Sequence, residues 1–196
     1  MRKIINSIFF FCFFLIIQSA SAEDKILKIG NEKAKITVKV FSSLTCPHCA
    51  NFHLNIFDEL KKEYIDNNFV KFEHHSFPLD LAALNAEIII RCQNNNDKKF
   101  QLLSEIYKKQ SKWAVGSDIN LINESIKKIG LNYGLTNKKM DECLNDEKNQ
   151  DQILSERINA QKNYSIQSTP TIYINEKMYK DKHSYKQFKK AVDKLL

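Results

Sequence analysis

The chain has 196 residues, of which 43% are hydrophobic and 27% charged, and its formal net charge is +7. That length suits one domain with an insertion and is enough to bury a sizeable core. Lysine carries most of the positive balance, and with three arginines and no Arg-rich stripe or aromatic–basic interleaving the sequence points to no nucleic-acid partner.

The first element lies outside the fold. "MRKIINSIFFFCFFLIIQSASA" opens with Arg2 and Lys3, runs apolar from Ile8 to Ile17 and ends in Ala20-Ser21-Ala22. Charge, then apolar core, then small residues is the order of a cleaved secretory signal peptide, here residues 1–22. The apolar core is short for a membrane helix, which needs about 20 apolar residues; an uncleaved anchor is the alternative. The mature chain is expected in the periplasm as a soluble monomer. Without Cys12 the cysteines are Cys46, Cys49, Cys92 and Cys143, an even set in an exported chain, which favours disulfides.

Residues 23–78 read as strand, helix, strand. "AKITVKVF" sets Ile36, Val38 and Val40 against Thr37, Lys39 and Phe41, the alternation of a strand. Cys46-Pro47-His48-Cys49 follows at once. Beyond it Phe52, Ile56, Phe57, Leu60 and Tyr64 recur at helical spacing, and "FVKFEHHSF" forms a second strand ending before Pro78. Of its two histidines, His74 and His75, one is expected to pack and one to face water. Residues 79–163 are helical throughout. "LDLAALNAEIIIRC" and "KFQLLSEIYKKQSKW" carry apolar residues at three- and four-residue steps, with "QNNNDKK" between them as a loop and Trp113 as packing. "DINLINESIKKIG" has Asp118 as a cap and Gly130 as a stop, and two further helices cover 137–144 and 146–163. Residues 164–196 return to a strand, "TIYI", a turn at Asn175-Glu176, a short strand "KMYK" and an amphipathic helix through Tyr185, Phe188, Ala191, Val192 and Leu195.

The chemistry concentrates in CPHC. Proline is favoured at the first helical position, so Pro47 makes Cys46 the residue that caps the helix. A capping side chain accepts hydrogen bonds from backbone N–H groups two or three positions on, here those of His48 and Cys49. The helix dipole and the His48 imidazole add to the same effect, so the Cys46 thiolate is expected to be stabilised and its pKa lowered. Cys49, one turn inside, is expected to be more buried and less acidic. A structural zinc site needs four ligands; His53 is near, but no second CxxC or HxxxH completes the set, so no metal is expected. A bridge serving structure alone closes almost no loop at this spacing.

"FSSLTCPHCANFH" together with the distant "STPTIYIN" resembles the DsbA-like thiol:disulfide oxidoreductases, in particular their alphaproteobacterial members, over nearly all of the mature chain. The resemblance implies an α/β (α+β) thioredoxin fold with an inserted all-helical domain. It also implies a cis peptide at Pro170 facing the Cys46–Cys49 disulfide, and a Thr169 that offers backbone hydrogen bonds to an extended substrate. The chemistry implied is donation of the disulfide to reduced or unfolded exported proteins, with recharging by a DsbB-like membrane oxidant and no cofactor. One position departs from the pattern: many relatives carry a buried glutamate where this chain has Val40, which leaves proton handling at the buried cysteine open. Cys92 and Cys143 either form a second, structural disulfide, as some relatives do, or remain two buried thiols. Alternatives on the same fold are a reductase or isomerase, and a binding protein without redox turnover.

Overall fold

The computed structural model describes residues 26–196; the segment 1–22, read from the sequence as a signal peptide, lies outside the described residues. The described chain is an α+β thioredoxin fold. Five strands form one mixed sheet: β1 (Leu27–Ile29), β2 (Ile36–Ser42), β3 (Val70–Ser76), β4 (Thr171–Ile174) and β5 (Lys177–Met178), in the spatial order β1-β3-β2-β4-β5. β2 and β3 are parallel, with Ile36 opposite Val70 and Val40 opposite His74, while β4 runs antiparallel to β2 with Phe41 opposite Thr171.

As the central strand, β2 is covered on both faces. Ile36, Val38 and Val40 are buried in the main core, and Phe41, on the other face, is buried with Phe77, Ala160 and Ile166. Strict alternation understates such a strand, because a residue that faces a second cover of helix and loop is apolar too.

One helical run, α1, leaves the end of β2. It comprises Pro47–Phe52, His53–Phe57, Asp58–Leu60 and Lys61–Ile65, and the second and fourth of these segments are wider π turns. The stripe read from the sequence points inward: Phe52, Ile56, Phe57, Leu60 and Tyr64 are all buried. The π turns were not legible from periodicity, since each inserts one residue into an otherwise 3.6-fold pattern.

Six helices separate β3 from β4: α2 (Leu81–Arg91), α3 (Asn96–Lys108), α4 (Gln110–Trp113), α5 (Ile119–Leu131), α6 (Asn137–Leu144) and α7 (Glu147–Tyr164); α8 (Tyr185–Asp193) closes the chain. Asp80, Asn95, Asp118, Thr136 and Asp146 each cap one of these helices through their side chains, satisfying backbone N–H groups that would otherwise be orphaned. Gly130 does not stop α5 as expected; the helix runs on to Leu131. A Cβ at Gly130 would lie 2.6 Å from Met140 Sδ, so the glycine serves close packing of α5 on α6, and the left-handed turn falls later, at Gly134 (φ +83°).

Two covalent or charged ties hold these helices. Cys92, at the end of α2, and Cys143, in α6, are joined with an S–S distance of 1.99 Å and a Cα separation of 6.0 Å. A buried polar chain links β3, α2 and α7: His74 Nε2 lies 3.1 Å from Glu87 Oε2, Arg91 Nε donates to Glu87 Oε1 at 3.0 Å, and the Arg91 guanidinium grips Glu156 at 2.7 and 2.6 Å. Burial alone would raise the Glu87 carboxyl, but His74 and Arg91 outweigh it and hold the group at about 2. Of the two histidines of β3, His74 is buried, and the half-buried His75 lies tilted against Phe41, ring centroids 4.7 Å apart, and bonds Glu73 at 2.9 Å. The reason is tertiary: Glu87 of α2 meets His74 on one face of β3, and Glu73 meets His75 on the other. Trp113 is buried, its indole N–H donating to the Ile106 carbonyl at 2.8 Å.

Candidate active site

β2 ends at Ser42, and a tight turn carries the chain to Pro47, the first residue of α1. The Cys46 N–H donates to the Ser43 carbonyl at 3.2 Å, which bends the backbone so that Cys46, extended at φ −81° and ψ 119°, begins the helix. Its carbonyl then accepts the N–H groups of Cys49 at 3.1 Å and Ala50 at 3.2 Å. Two side chains, Asp80 and Gln110, and the Leu79 backbone N–H brace this turn from the helical region. Thr45 Oγ1 donates to Asp80 Oδ2 at 2.7 Å, Ser43 Oγ accepts the Leu79 N–H at 3.3 Å, and the Gln110 amide donates to the carbonyls of Leu44 at 2.7 Å and Cys46 at 3.1 Å. Sequence reasoning missed all of these. Asp80 had a signal, a capping residue ahead of an apolar helical run; Gln110 had none.

The pairing of Phe41 with Thr171 decides what faces the cysteines. Because β4 runs antiparallel to β2, the residues just before β4 land beside the residues just after β2. Thr169 and Pro170, joined by a cis peptide, therefore stand against Cys46, whose Sγ–H donates to the Thr169 carbonyl at 3.3 Å. The Thr169 hydroxyl is buried, and none of the described residues hydrogen-bonds it.

Cys46 and Cys49 are both free thiols here. Cys46 is 8% exposed and Cys49 1%, so the first is the more accessible sulfur by a modest margin, with Thr169 leaning over it. The Cys46 thiol is lowered to about 5. The largest cause is the Cys49 thiol, which donates to the Cys46 sulfur; burial opposes it, and then Thr169 and the backbone N–H groups of Cys49 and His48 help. That ranking differs from the sequence expectation. The cap supplies the smaller share, the Cys46 side chain closes no full capping hydrogen bond as a thiol, and the His48 ring is exposed, so His48 acts on this sulfur through its backbone N–H. Cys49 moves the opposite way. Burial pushes its thiol far up, and the neighbouring Cys46 sulfur adds to the shift. The pair is thus one sulfur prepared to be an anion and one prepared to keep its proton.

His53 packs rather than gathers with the cysteines. It is buried, stacked on Phe57, with Nε2 2.8 Å from Ser104 Oγ, and burial first and His74 second lower its ring to about 3. Among the described residues no three His, Cys, Asp or Glu side chains form a metal-holding group, and no helix is long and apolar enough to cross a membrane.

The profile of the family described as Thioredoxin matches residues 21–194. The chain belongs to the thioredoxin family. Within it the architecture is DsbA-like: the crystal structure of Wolbachia pipientis alpha-DsbA1 superposes with a TM-score of 0.77 at 27% identity, covering 87% of this chain and 90% of that one. Disulfide bond formation protein D of Bacillus subtilis is 28% identical over 177 residues, 86% of this chain and 77% of that protein. RP025 of Rickettsia prowazekii, provisionally named a protein-disulfide oxidoreductase, is 32% identical over 174 residues, 89% of this chain. The chain spans 62% of that relative's length.

Proposed function

We propose that this DsbA-like protein is a periplasmic thiol:disulfide oxidoreductase that donates a Cys46–Cys49 disulfide to exported proteins. The observation that carries the reading is the placement of Cys46 at the start of α1 beside the cis-Pro170 peptide, its Sγ–H on the Thr169 carbonyl at 3.3 Å and Cys49 buried one turn inside, an arrangement that lowers the first thiol and raises the second. A disulfide is easily reduced when one product thiolate is stable; about 1.4 kcal/mol of that stability moves a two-electron couple roughly 30 mV toward oxidising. A substrate thiolate attacks Cys46 Sγ, the accessible sulfur, and the Cys46–Cys49 bond breaks. A second substrate thiolate then attacks the mixed disulfide and expels Cys46 as the stable anion. The substrate leaves oxidised and the CPHC pair reduced.

Thr169 and Pro170 are the substrate platform in this reading. An extended chain beside Cys46 would take the backbone groups of Thr169, which the dithiol form occupies with the Cys46 S–H. Export through a leader at 1–22 and recharging by a DsbB-like membrane oxidant complete the cycle; support for them is the order of residues in the leader and the relationship to disulfide bond formation proteins. Residues 23–78 and 164–196 make the thioredoxin part and 79–163 the helical insertion that braces the turn through Asp80 and Gln110.

The test mixes oxidised protein with a reduced peptide carrying two cysteines and follows both by thiol trapping and mass. Stoichiometric appearance of oxidised peptide is expected, and Cys49→Ser given a single-cysteine peptide activated as its thionitrobenzoate disulfide should hold the mixed disulfide at Cys46, with thionitrobenzoate released. Oxidised protein that leaves the peptide reduced overturns the reading. Equilibration against glutathione separates an oxidase from a reductase, the former being fully reduced by a modest thiol excess.

A further inference from the structure

The sheet ends at β5, and that edge is open. β5 is the last strand in the order β1-β3-β2-β4-β5, and among the described residues it pairs with β4 alone. The Tyr179 N–H donates to the Ile172 carbonyl at 2.8 Å. In an antiparallel ladder successive residues turn their backbone groups to opposite sides. Met178, one residue earlier, therefore turns its N–H and C=O away from β4, toward the open edge. Its side chain is 43% exposed.

Between this edge and α8 runs a groove of about 850 Å³. Its floor is apolar, lined by Ile174, Met178, Ala191 and Leu195. Its rim is cationic, with Lys177 and Lys180 on the strand side and Lys190 and Lys194 on the helix side, all four exposed. Among the described residues no hydrogen bond or ion pair engages any of these four ammonium groups. Two carboxylates belong to the same lining. Glu176 is committed to Lys39 at 2.8 Å, which leaves Asp181 against the four lysines. Lysine on an edge strand is an ordinary guard against unwanted pairing, and that accounts for Lys177. It does not account for Lys190 and Lys194, which stand one turn apart at the end of the helix across the groove. The groove shares no residue with the CPHC turn or with Thr169 and Pro170.

We propose that this groove docks an extended acidic segment of a partner polypeptide, added to the sheet as a strand beside β5. Its backbone meets the outward N–H and C=O of Met178, its alternate side chains lie on the apolar floor, and its carboxylates meet the lysine rim. In such strand addition main-chain pairing supplies affinity and the side-chain contacts supply selectivity. Charge complementarity selects the occupant, since four uncommitted cations against one carboxylate call for an anionic partner. Shape selects a chain over a lipid surface, because the site is concave and one of its walls is backbone. The inference stands apart from the oxidoreductase reading, as no residue of the cysteine site takes part in it.

The probe is a fluorescent peptide of alternating glutamate and valine, titrated with the full chain and followed by anisotropy, with hydrogen exchange at the Met178 amide as a second readout. Saturable binding is expected, weakened by added salt, together with slowed exchange at Met178. Lys190→Glu combined with Lys194→Glu should weaken binding at least about tenfold, since each reversal turns an attraction into a repulsion of similar size. The same variant should transfer disulfide to a dithiol peptide at the wild-type rate. A peptide that does not bind, that binds the charge-reversed variant equally, or that leaves Met178 exchange unchanged overturns the proposal. Equal binding of a lysine–valine peptide overturns it too. Retention of the protein on phosphatidylglycerol vesicles without peptide binding overturns it in favour of a lipid surface. Wild-type protein that binds the peptide and transfers no disulfide overturns the oxidoreductase reading and leaves this one standing.

Discussion

Replacing Cys49 by alanine removes the donor that contributes most to the acidity of Cys46. The structure ranks that thiol above Thr169 and above the backbone N–H groups at the helix start, and burial is the opposing influence. A hydrogen bond to a charged acceptor contributes about 1.5–3 kcal/mol, and one pKa unit is about 1.4 kcal/mol. The Cys46 midpoint in Cys49→Ala should therefore rise by roughly one to two units from its value of about 5. Cys49→Ser keeps a donor in place and should fall between the two. The assay is the ultraviolet absorbance of the thiolate titrated with pH on reduced protein, with alkylation rates at Cys46 as an independent readout. Cys49→Ala that titrates like wild type refutes the ranking and returns the credit to the helix start and Thr169.

The lowered Cys46 group also makes the reduced protein's stability pH-dependent. Between about 5 and its ordinary value of 9.0 the unfolded chain binds the extra proton, so this contribution is full above 9.0, shrinks as pH falls and is gone below about 5. At neutral pH it amounts to roughly 1–2 kcal/mol after allowance for solvent screening. Melting of reduced against oxidised protein should show the gap narrowing as pH drops, and a gap independent of pH contradicts the shift. Removing the second bridge with Cys92→Ser and Cys143→Ser opens a separation of 51 residues, which on the chain-entropy model costs about 4 kcal/mol in denaturant unfolding. Arg91→Met takes the guanidinium away from the buried Glu87 carboxylate and should cost about 3–5 kcal/mol, seen as a lower urea midpoint. Gln110→Ala strips two carbonyls of the active-site turn and should cost about 1–2 kcal/mol, with slower disulfide transfer than wild type.

Much of this molecule is written in local pattern. The alternation from Ile36, the helical stripe from Phe52 to Tyr64 and the cap at Asp118 depend on neighbours within a few residues, and each lies where that pattern put it. Pro47 after Cys46 starts a helix for the same local reason. What periodicity does not encode is a turn that gains a residue, as at His53–Phe57, or a glycine kept inside a helix because another helix passes close, as Gly130 is by Met140.

The site divides along the same line. Sequence alone supplied the two cysteines, their order on the helix and the direction in which Cys46 departs from an ordinary thiol, since these follow from a capping position and a proline. Only the tertiary structure decided the ranking of causes, because burial opposes the shift and Thr169 arrives through the antiparallel pairing of β4, while Gln110 reaches the same turn from a helix far along the chain. Burial decides the rest. Cys49 keeps its proton because the folded chain excludes water from it, and no spacing of residues along a sequence states how much water a fold will exclude.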